Sequence, residues 1–481
     1  MQIVFSFLYF SLFIFVIYKV KFFEIAGFPK HIIAVYFAVK VLAGITVWWV
    51  YTCYYAGGDM QNYFSDGHHL FRLLMDKPKL FYEVVFRDRP YNGLKIWNSN
   101  YDYTLYNDAR SLSLLNMVFL FFSFGYFQVH IIFMCFLSLI GLTALYHTFE
   151  KYLVRKHIQL FVAIFLIPSV LFWSSGVLKE GILFFGLGIF LYASNCGMPT
   201  TYSFKKIIVI LLSISILLLI KFYVLVALLP GLYLNFIVSR TSDRYLLLKY
   251  YSSIFIIIFG AIVLTYLNND YNPLKLVKDK QVKAILEARG GVYLANRDKV
   301  ISINYANREK QLIVLTDSTY KIQRGSNYIF WKANDMSVYD SVRSSLDTTS
   351  YKIAYSIVPA NSIMHIDFLK SDFSNIFIVL PQALFNVFFQ PTIWSVDDAI
   401  QLFPAIENLI IIVLIILSII FFNKRHEHKE IVFFCLSFVF ILFVLVGITT
   451  PAVGAIVRYK IPALPFLIIA MLLITKKKKV H

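Results

Sequence analysis

The chain has 481 residues, 59% of them hydrophobic, 18% aromatic and only 15% charged, with a mean hydropathy of +0.69. A soluble domain carries about 25% charged residues, so the composition excludes an ordinary soluble protein and places the chain in the membrane class. The formal net charge of +18 does not point to nucleic acid, because Lys and Arg gather in short turns between apolar runs, as the positive-inside rule predicts.

Residues 1–56 read as N-terminal transmembrane helices. Met1–Val20 is apolar, without a basic leading segment or a small-residue cleavage site, and reads as a retained helix. Lys19, Lys21, Lys30 and His31 flank the first turn, which puts that turn in the cytoplasm and Met1 outside. A second helix over His31–Tyr51 runs outward and ends in an aromatic belt of Trp48, Trp49 and Tyr51.

Residues 57–122 form the first external loop, with interfacial helices at His69–Met75 and Leu80–Phe86 and an apolar stretch, Leu112–Phe122, entering the membrane edge. Residues 123–267 are a transmembrane bundle. Its basic turns, Glu150–His157, Lys205 with Lys206, and Arg240–Lys249, fall on the cytoplasmic side; the elbow Trp173–Gly181 and a reversal near Lys221 fall outside. Residues 268–374 are polar, with weak strand-like alternation at Val300–Tyr305 and Gln311–Leu315, and read as a small extracytoplasmic module.

Residues 375–399 are apolar but broken by Pro381 and Pro391, which predicts an interfacial or re-entrant segment. Residues 400–481 are C-terminal transmembrane helices around the basic turn Asn423–Glu430, with an external turn Gly447–Lys460 and a terminal anchor Lys476–Lys479. The predicted fold is an all-α polytopic integral membrane protein of about eleven transmembrane helices, without the inverted repeat common in transporters. Cys53, Cys135, Cys196 and Cys435 lie in or beside apolar runs with no paired spacing and read as small hydrophobes.

Three stretches carry candidate chemistry. Asp59 and Asp66 follow the second helix; acids at that spacing share one helix face. A carboxylate beside hydrocarbon is costly and marks a site. It can act as a general base, hold a divalent cation or cap a helix. Lys179 and Glu180 open an apolar helix after the elbow, where lysine can meet a lipid phosphate as a point charge and glutamate benefits from the helix N-terminus. Arg458 and Lys460 precede the last helix on the outer face, where positive charge wants an anionic partner. Lys221, Arg87 and Arg89 can join such a site; Glu407 lies in a span and needs a partner; His130 and His365 read as structural. The chain has no Walker A loop, dinucleotide fingerprint or metal-spaced His/Cys cluster, which argues against ATP- or NAD-driven chemistry.

Together, Gly58-Asp59 with Tyr63, the stretch Pro168–Glu180, and Arg458-Tyr459 with Pro462 and Pro465 resemble motifs of the membrane-embedded GT-C glycosyltransferases. The resemblance implies a bacterial inner-membrane enzyme moving a sugar from a polyprenyl-phosphate-linked donor to a glycan, lipid or protein acceptor on the outer side. It implies Asp59 as general base or as the ligand of a divalent cation, Mg or Mn, and Arg458 and Lys179 on the lipid phosphate. The reading of the residues adds Asp66 as a second catalytic candidate, Lys221 and Lys460 at the donor phosphate, and Glu180, Tyr63 and Arg89 in support. The chain departs from the family in an extra early span and in lacking an Asp-Glu doublet. The extra span and the late external module are also similar to O-antigen and exopolysaccharide polymerases, which use the same kind of donor. Readings from other classes are a transporter or flippase of an anionic lipid or solute, and a scaffold for an envelope partner.

Overall fold

A computed structural model of the chain describes residues 1–55, 58–87, 91, 94, 108–198, 203–241, 244–267, 273–296, 299–303, 308–316, 319–323, 327–332, 335–343, 352–357, 360, 362–364, 366, 369, 374–396, 399–423 and 427–475. Arg89, His365 and the terminal lysines lie outside the described residues. Residues 1–254, 410–442 and 461–481 form one compact body, and residues 255–409 and 443–460 a second.

The helices in chain order are α1 (Gln2–Lys19), α2 (Lys30–Trp49), α3 (Asp59–Asp76), α4 (Pro78–Phe86), α5 (Asp108–Ser123), α6 (Phe127–Phe149), α7 (His157–Phe165), α8 (Pro168–Trp173), α9 (Lys179–Ser194) and α10 (Phe204–Arg240). There follow α11 (Leu246–Leu267), α12 (Pro273–Arg289), α13 (Ser374–Phe389), α14 (Ala399–Ile420), α15 (Lys429–Thr449), α16 (Val453–Tyr459) and α17 (Leu464–Ile474). Among the described residues, eight helices are long and apolar enough to cross a membrane, with three shorter apolar ones at Ala109–Ser123, Leu246–Gly260 and Asn375–Phe389. The chain is a helical protein of the membrane class.

In the first body α6 is buried along most of its length and α1 hardly at all, so α6 is the axis and α1 faces lipid. With no hydrophobic drive between spans in lipid, small residues that let backbones approach decide which helices pack closely. Gly141 of α6 and Gly188 of α9 do so here: a Cβ on Gly188 would lie 1.9 Å from Gly141 O, and one on Gly141 2.1 Å from Phe184 O. Both obstacles are backbone and cannot rotate away. Gly188→Val is therefore expected to cost at least the ~1–3 kcal/mol of an overpacked core; a several-fold drop in monodisperse protein from detergent extracts is the check.

At 37 residues, α10 would run about 55 Å if straight, well beyond a ~30 Å hydrocarbon core. It does not run straight. Lys221 leaves helical geometry (φ −154°, ψ 80°). A Cβ on Gly186 of α9 would contact Ile216 at 2.9 Å, Lys221 meets Glu180 at the start of α9, and Asn235 then donates to Cys196 O beyond its end at 3.0 Å. These levels require the chain to turn back at Lys221, as the sequence predicts.

The contacts also sort the turns of this body by end. Ala26 N–H donates to Glu150, and His147 lies 2.7 Å from Phe22 O. Lys151 donates to Asn195, and the Tyr152 and His428 rings are 4.9 Å apart. The basic turns thus share one end. At the other, Phe5 lies against Phe124, and Phe64 of α3 lies against Phe127 at the start of α6.

The stretches expected to form interfacial helices, His69–Met75 and Leu80–Phe86, are helical, the first inside α3 and the second inside α4. Leu70, Leu73 and Val84 are buried there with Leu94 and Met117, which gives the amphipathic stretches a protein side and a free side.

In the second body α12 leads into a five-stranded antiparallel sheet. Its strands are β1 (Gly291–Asn296), β2 (Lys299–Ile303), β5 (Asn327–Lys332), β6 (Asp335–Arg343) and β7 (Lys352–Ile357), in the order β6-β5-β2-β1-β7. β3 (Leu312–Thr316) and β4 (Thr319–Ile322) form a separate hairpin. Val292, Leu294, Ile301 and Ile303 alternate into its core with Ile322. Gln281 of α12 donates to Ile448 O at 2.9 Å and accepts from Leu369 N–H at 2.8 Å.

The segment expected to break at Pro381 is instead one continuous helix, α13, and only Pro391 lies beyond its end. Pro381 sits on an exposed side and removes a single helical hydrogen bond. The opposite side is held against Gly447, where a Cβ would lie 2.3 Å from Ala383 O.

Candidate functional site

The site is built from the far end of α2. The helix winds into a π turn at Val50–Tyr54, and the chain passes Gly58 before α3 begins at Asp59. Gly58 has φ +153°, and a Cβ there would lie 2.6 Å from the Tyr51 ring, so only glycine brings α3 this close to the turn.

Asp59 is the first residue of α3, where the helix dipole favours a carboxylate. Its side chain is half-buried. Met60, Tyr63, Asp66 and Gly67 are buried, so acid, phenol and acid follow one another along the inward side of α3. Close packing against α5 sets this orientation: a Cβ on Gly67 would lie 2.9 Å from Ser113 O.

The elbow supplies the opposite charge. α8 starts on Pro168, whose missing N–H costs nothing in a first turn, and α9 starts on Lys179 after the extended Leu178. Lys179 Nζ sits 5.7 Å from the centre of the buried Tyr63 ring, within the reach of a cation–π contact. The Asp59 stretch and the elbow, far apart in sequence, therefore meet. Next to it Glu180 is fully buried, and Lys221 donates to its Oε1 at 2.9 Å while only 3% exposed. Thus the structure joins Tyr63 with Lys179 and Glu180 with Lys221, with Asp59 one turn from Tyr63.

Arg458 and Lys460 belong to the second body. Arg458 lies on α16 and is 8% exposed. Lys460 is 2% exposed and donates to Asn408 Oδ1 at 2.6 Å, Val387 O at 3.1 Å and Gln390 O at 3.2 Å. An ammonium has three donors; here two go to carbonyls at the C-terminal end of α13 and the third to the Asn408 side chain on α14. Glu407 is buried beside Asn408.

One polar group in the first body escapes a reading of the sequence by motif. Lys40, in the middle of α2, is fully buried and donates to Ser174 Oγ at 2.6 Å and Ser175 Oγ at 3.2 Å. The signal was a single charge inside an apolar span. His130 of α6 lies 2.7 Å from Asn116 Oδ1 and 2.8 Å from Ser123 Oγ, both on α5, which makes it the structural histidine that the sequence suggests.

No family model, curated protein or solved structure matches the chain. Among the described residues no three His, Cys, Asp or Glu side chains cluster around a metal position. Asp59 fits only the mode in which Mg is held by one or two carboxylates and completed by substrate phosphate and water.

His68, on α3, is held below the usual histidine pKa first by partial burial and then by Arg72 and His69. A depressed folded-state value means that the neutral form favours folding, fully so above the unfolded value of about 6.5. Stability is then lost as pH falls from there through the folded value. Thermal unfolding of wild type and His68→Gln should show a smaller drop in the variant between pH 7 and pH 5.

Proposed function

We propose that the chain is a membrane glycosyltransferase, transferring a sugar from a polyprenyl-phosphate-linked donor to an acceptor hydroxyl at the membrane surface. The observation that carries the reading is the Lys179–Tyr63 contact, which brings a basic elbow to the face of α3 that bears Asp59 and Asp66. The group lies at the end of its body opposite the basic turns. If those turns are cytoplasmic, the site opens on the outer side.

In this reading the acceptor oxygen attacks the anomeric carbon as the bond from that carbon to the phosphate oxygen breaks. Asp59, half-buried at the mouth of α3, takes the hydroxyl proton. Lys179 faces the phosphate as its charge grows, where a fixed positive group helps most. Were Mg to take part, Asp59 would hold it in place of serving as base, and the ion would supply further positive charge for the phosphate. Glu180 and Lys221 hold the start of α9 in place. Lys460, with its donors at the end of α13 and on Asn408, and Arg458, in the other body, have no part in the scheme.

The test is the envelope glycan profile of cells carrying wild type, Asp59→Asn or Lys179→Ala at matched membrane levels. Loss of one glycan species in both variants supports the transferase reading. An unchanged profile in both removes it.

A further inference from the structure

We propose that Lys40 is a positioning residue that locks the elbow Ser174–Leu178 onto α2, and so fixes where Lys179 leaves the bundle; its role in catalysis rests on the transferase reading above.

The contacts run along one face of α2. Lys40 donates to Ser174 Oγ and Ser175 Oγ. One turn on, a Cβ on Gly44 would lie 2.6 Å from Ser175 O, so the elbow backbone rests directly on the helix. A further turn on, Val47 occupies the space beside Gly176, where a Cβ would lie 2.9 Å from Val47 Cγ1. Lys40, Gly44 and Val47 thus form a single stripe at helical spacing. From the far side, Cys135 of α6 places its Sγ 3.2 Å from Ser175 O and 3.4 Å from Lys40 O.

The hydroxyls have little freedom to move. Ser174 also donates to Val170 O at 2.6 Å and Ser175 to Leu171 O at 2.5 Å, which ties both to α8. Lys40 therefore grips the last turn of α8, and the chain reaches Lys179 four residues after Ser175. The same helix, continued through the π turn and Gly58, delivers Asp59. Asp59 follows α2 in the chain, and Lys179 follows the elbow that rests on α2, so Lys40 ties the lysine's side of the site to the same helix. A lysine buried in a span is expensive. Ammonium donors that hold two neighbouring hydroxyls at once give it a purpose that an apolar residue cannot serve.

The experiment reads elbow geometry without enzyme turnover. In a Cys53→Ser background, which removes the exposed native thiol, Lys179→Cys is labelled by a membrane-impermeant maleimide in vesicles exposing that face. Lys40→Met removes the donors at similar volume and leaves no unpaired buried charge, so the protein is expected to accumulate. Its labelling rate should rise about threefold or more, as local opening exposes the start of α9. Lys40→Gln, which keeps an N–H donor, should give a rate between the two.

Gly44→Ala, which pushes on Ser175 O, should raise the rate by an independent route and decides the matter if Lys40→Met accumulates poorly. Equal rates in the native and Lys40→Met backgrounds would overturn the proposal, as would a Lys40→Gln rate equal to that of Lys40→Met, which assigns the effect to packing alone. The transferase reading fails by a separate result, an unchanged glycan profile in Asp59→Asn, and the labelling outcome does not depend on it.

Discussion

Lys221→Met alone should strip most of the folded protein from the membrane, while Glu180→Gln with Lys221→Met should accumulate near the native level. The pair is 2.9 Å apart with side chains 3% and 0% exposed. Neutralising one partner leaves the other charge buried and uncompensated, a loss of about 3–5 kcal/mol against a total stability of about 5–15 kcal/mol. Neutralising both removes the charges together, and replacement of a buried pair is often close to neutral. Monodisperse protein in detergent extracts of the two singles and the double is the readout. A double variant no better than Lys221→Met would show that the pair is not what holds α9 to the reversal of α10.

The second large effect concerns chemistry. Asp59→Asn keeps the size and helix-start position of the side chain but cannot accept a proton, so a general base there is worth a factor of about 10²–10⁴ in rate. Lys179→Ala removes a fixed positive group facing the departing phosphate, for which about 10²–10³ is typical of one stabilising donor. The two should not multiply if both act in one step. Pulse labelling of the envelope glycan, normalised to membrane protein, gives the rates. Loss from Lys179→Ala with none from Asp59→Asn would leave an anion-binding site without a base, which suits a lipid or solute transporter better than a transferase.

Much of the architecture is legible because bilayer constraints are written in composition. Apolar runs and basic turns alone place the reversal at Lys221 and gather the Lys19–Lys30, Glu150–His157 and Asn423–Glu430 turns at one end of the first body. The strands are partly legible too: of the alternation at Val300–Tyr305 the described part, Val300–Ile303, falls on β2, and of that at Gln311–Leu315 all but Gln311 falls on β3. Pro381 misleads because a proline on an exposed face of a well-packed helix costs one hydrogen bond and no contact.

At the site, residue types are legible and partners are not. The reading of Lys179 as a group awaiting an anion carries no sign of Tyr63, the ring it actually covers. Lys460 looks like a phosphate ligand, yet two carbonyls at the end of α13 and the Asn408 side chain claim it, and nothing local to Lys460 encodes them. Lys40 stands out as a lone charge in a span, but the hydroxyls that justify it lie 134 and 135 residues away. Helix propensity and hydropathy are local; the pairing of buried polar groups is set by packing.

The most direct test of the transferase reading is the pool of polyprenyl-linked sugars, measured by mass spectrometry in lipid extracts of cells with wild-type protein and with Asp59→Asn at equal abundance. The account predicts that one lipid-linked sugar accumulates in the variant while the matching glycan disappears. A lipid-linked pool and glycan profile identical in the two strains would contradict it.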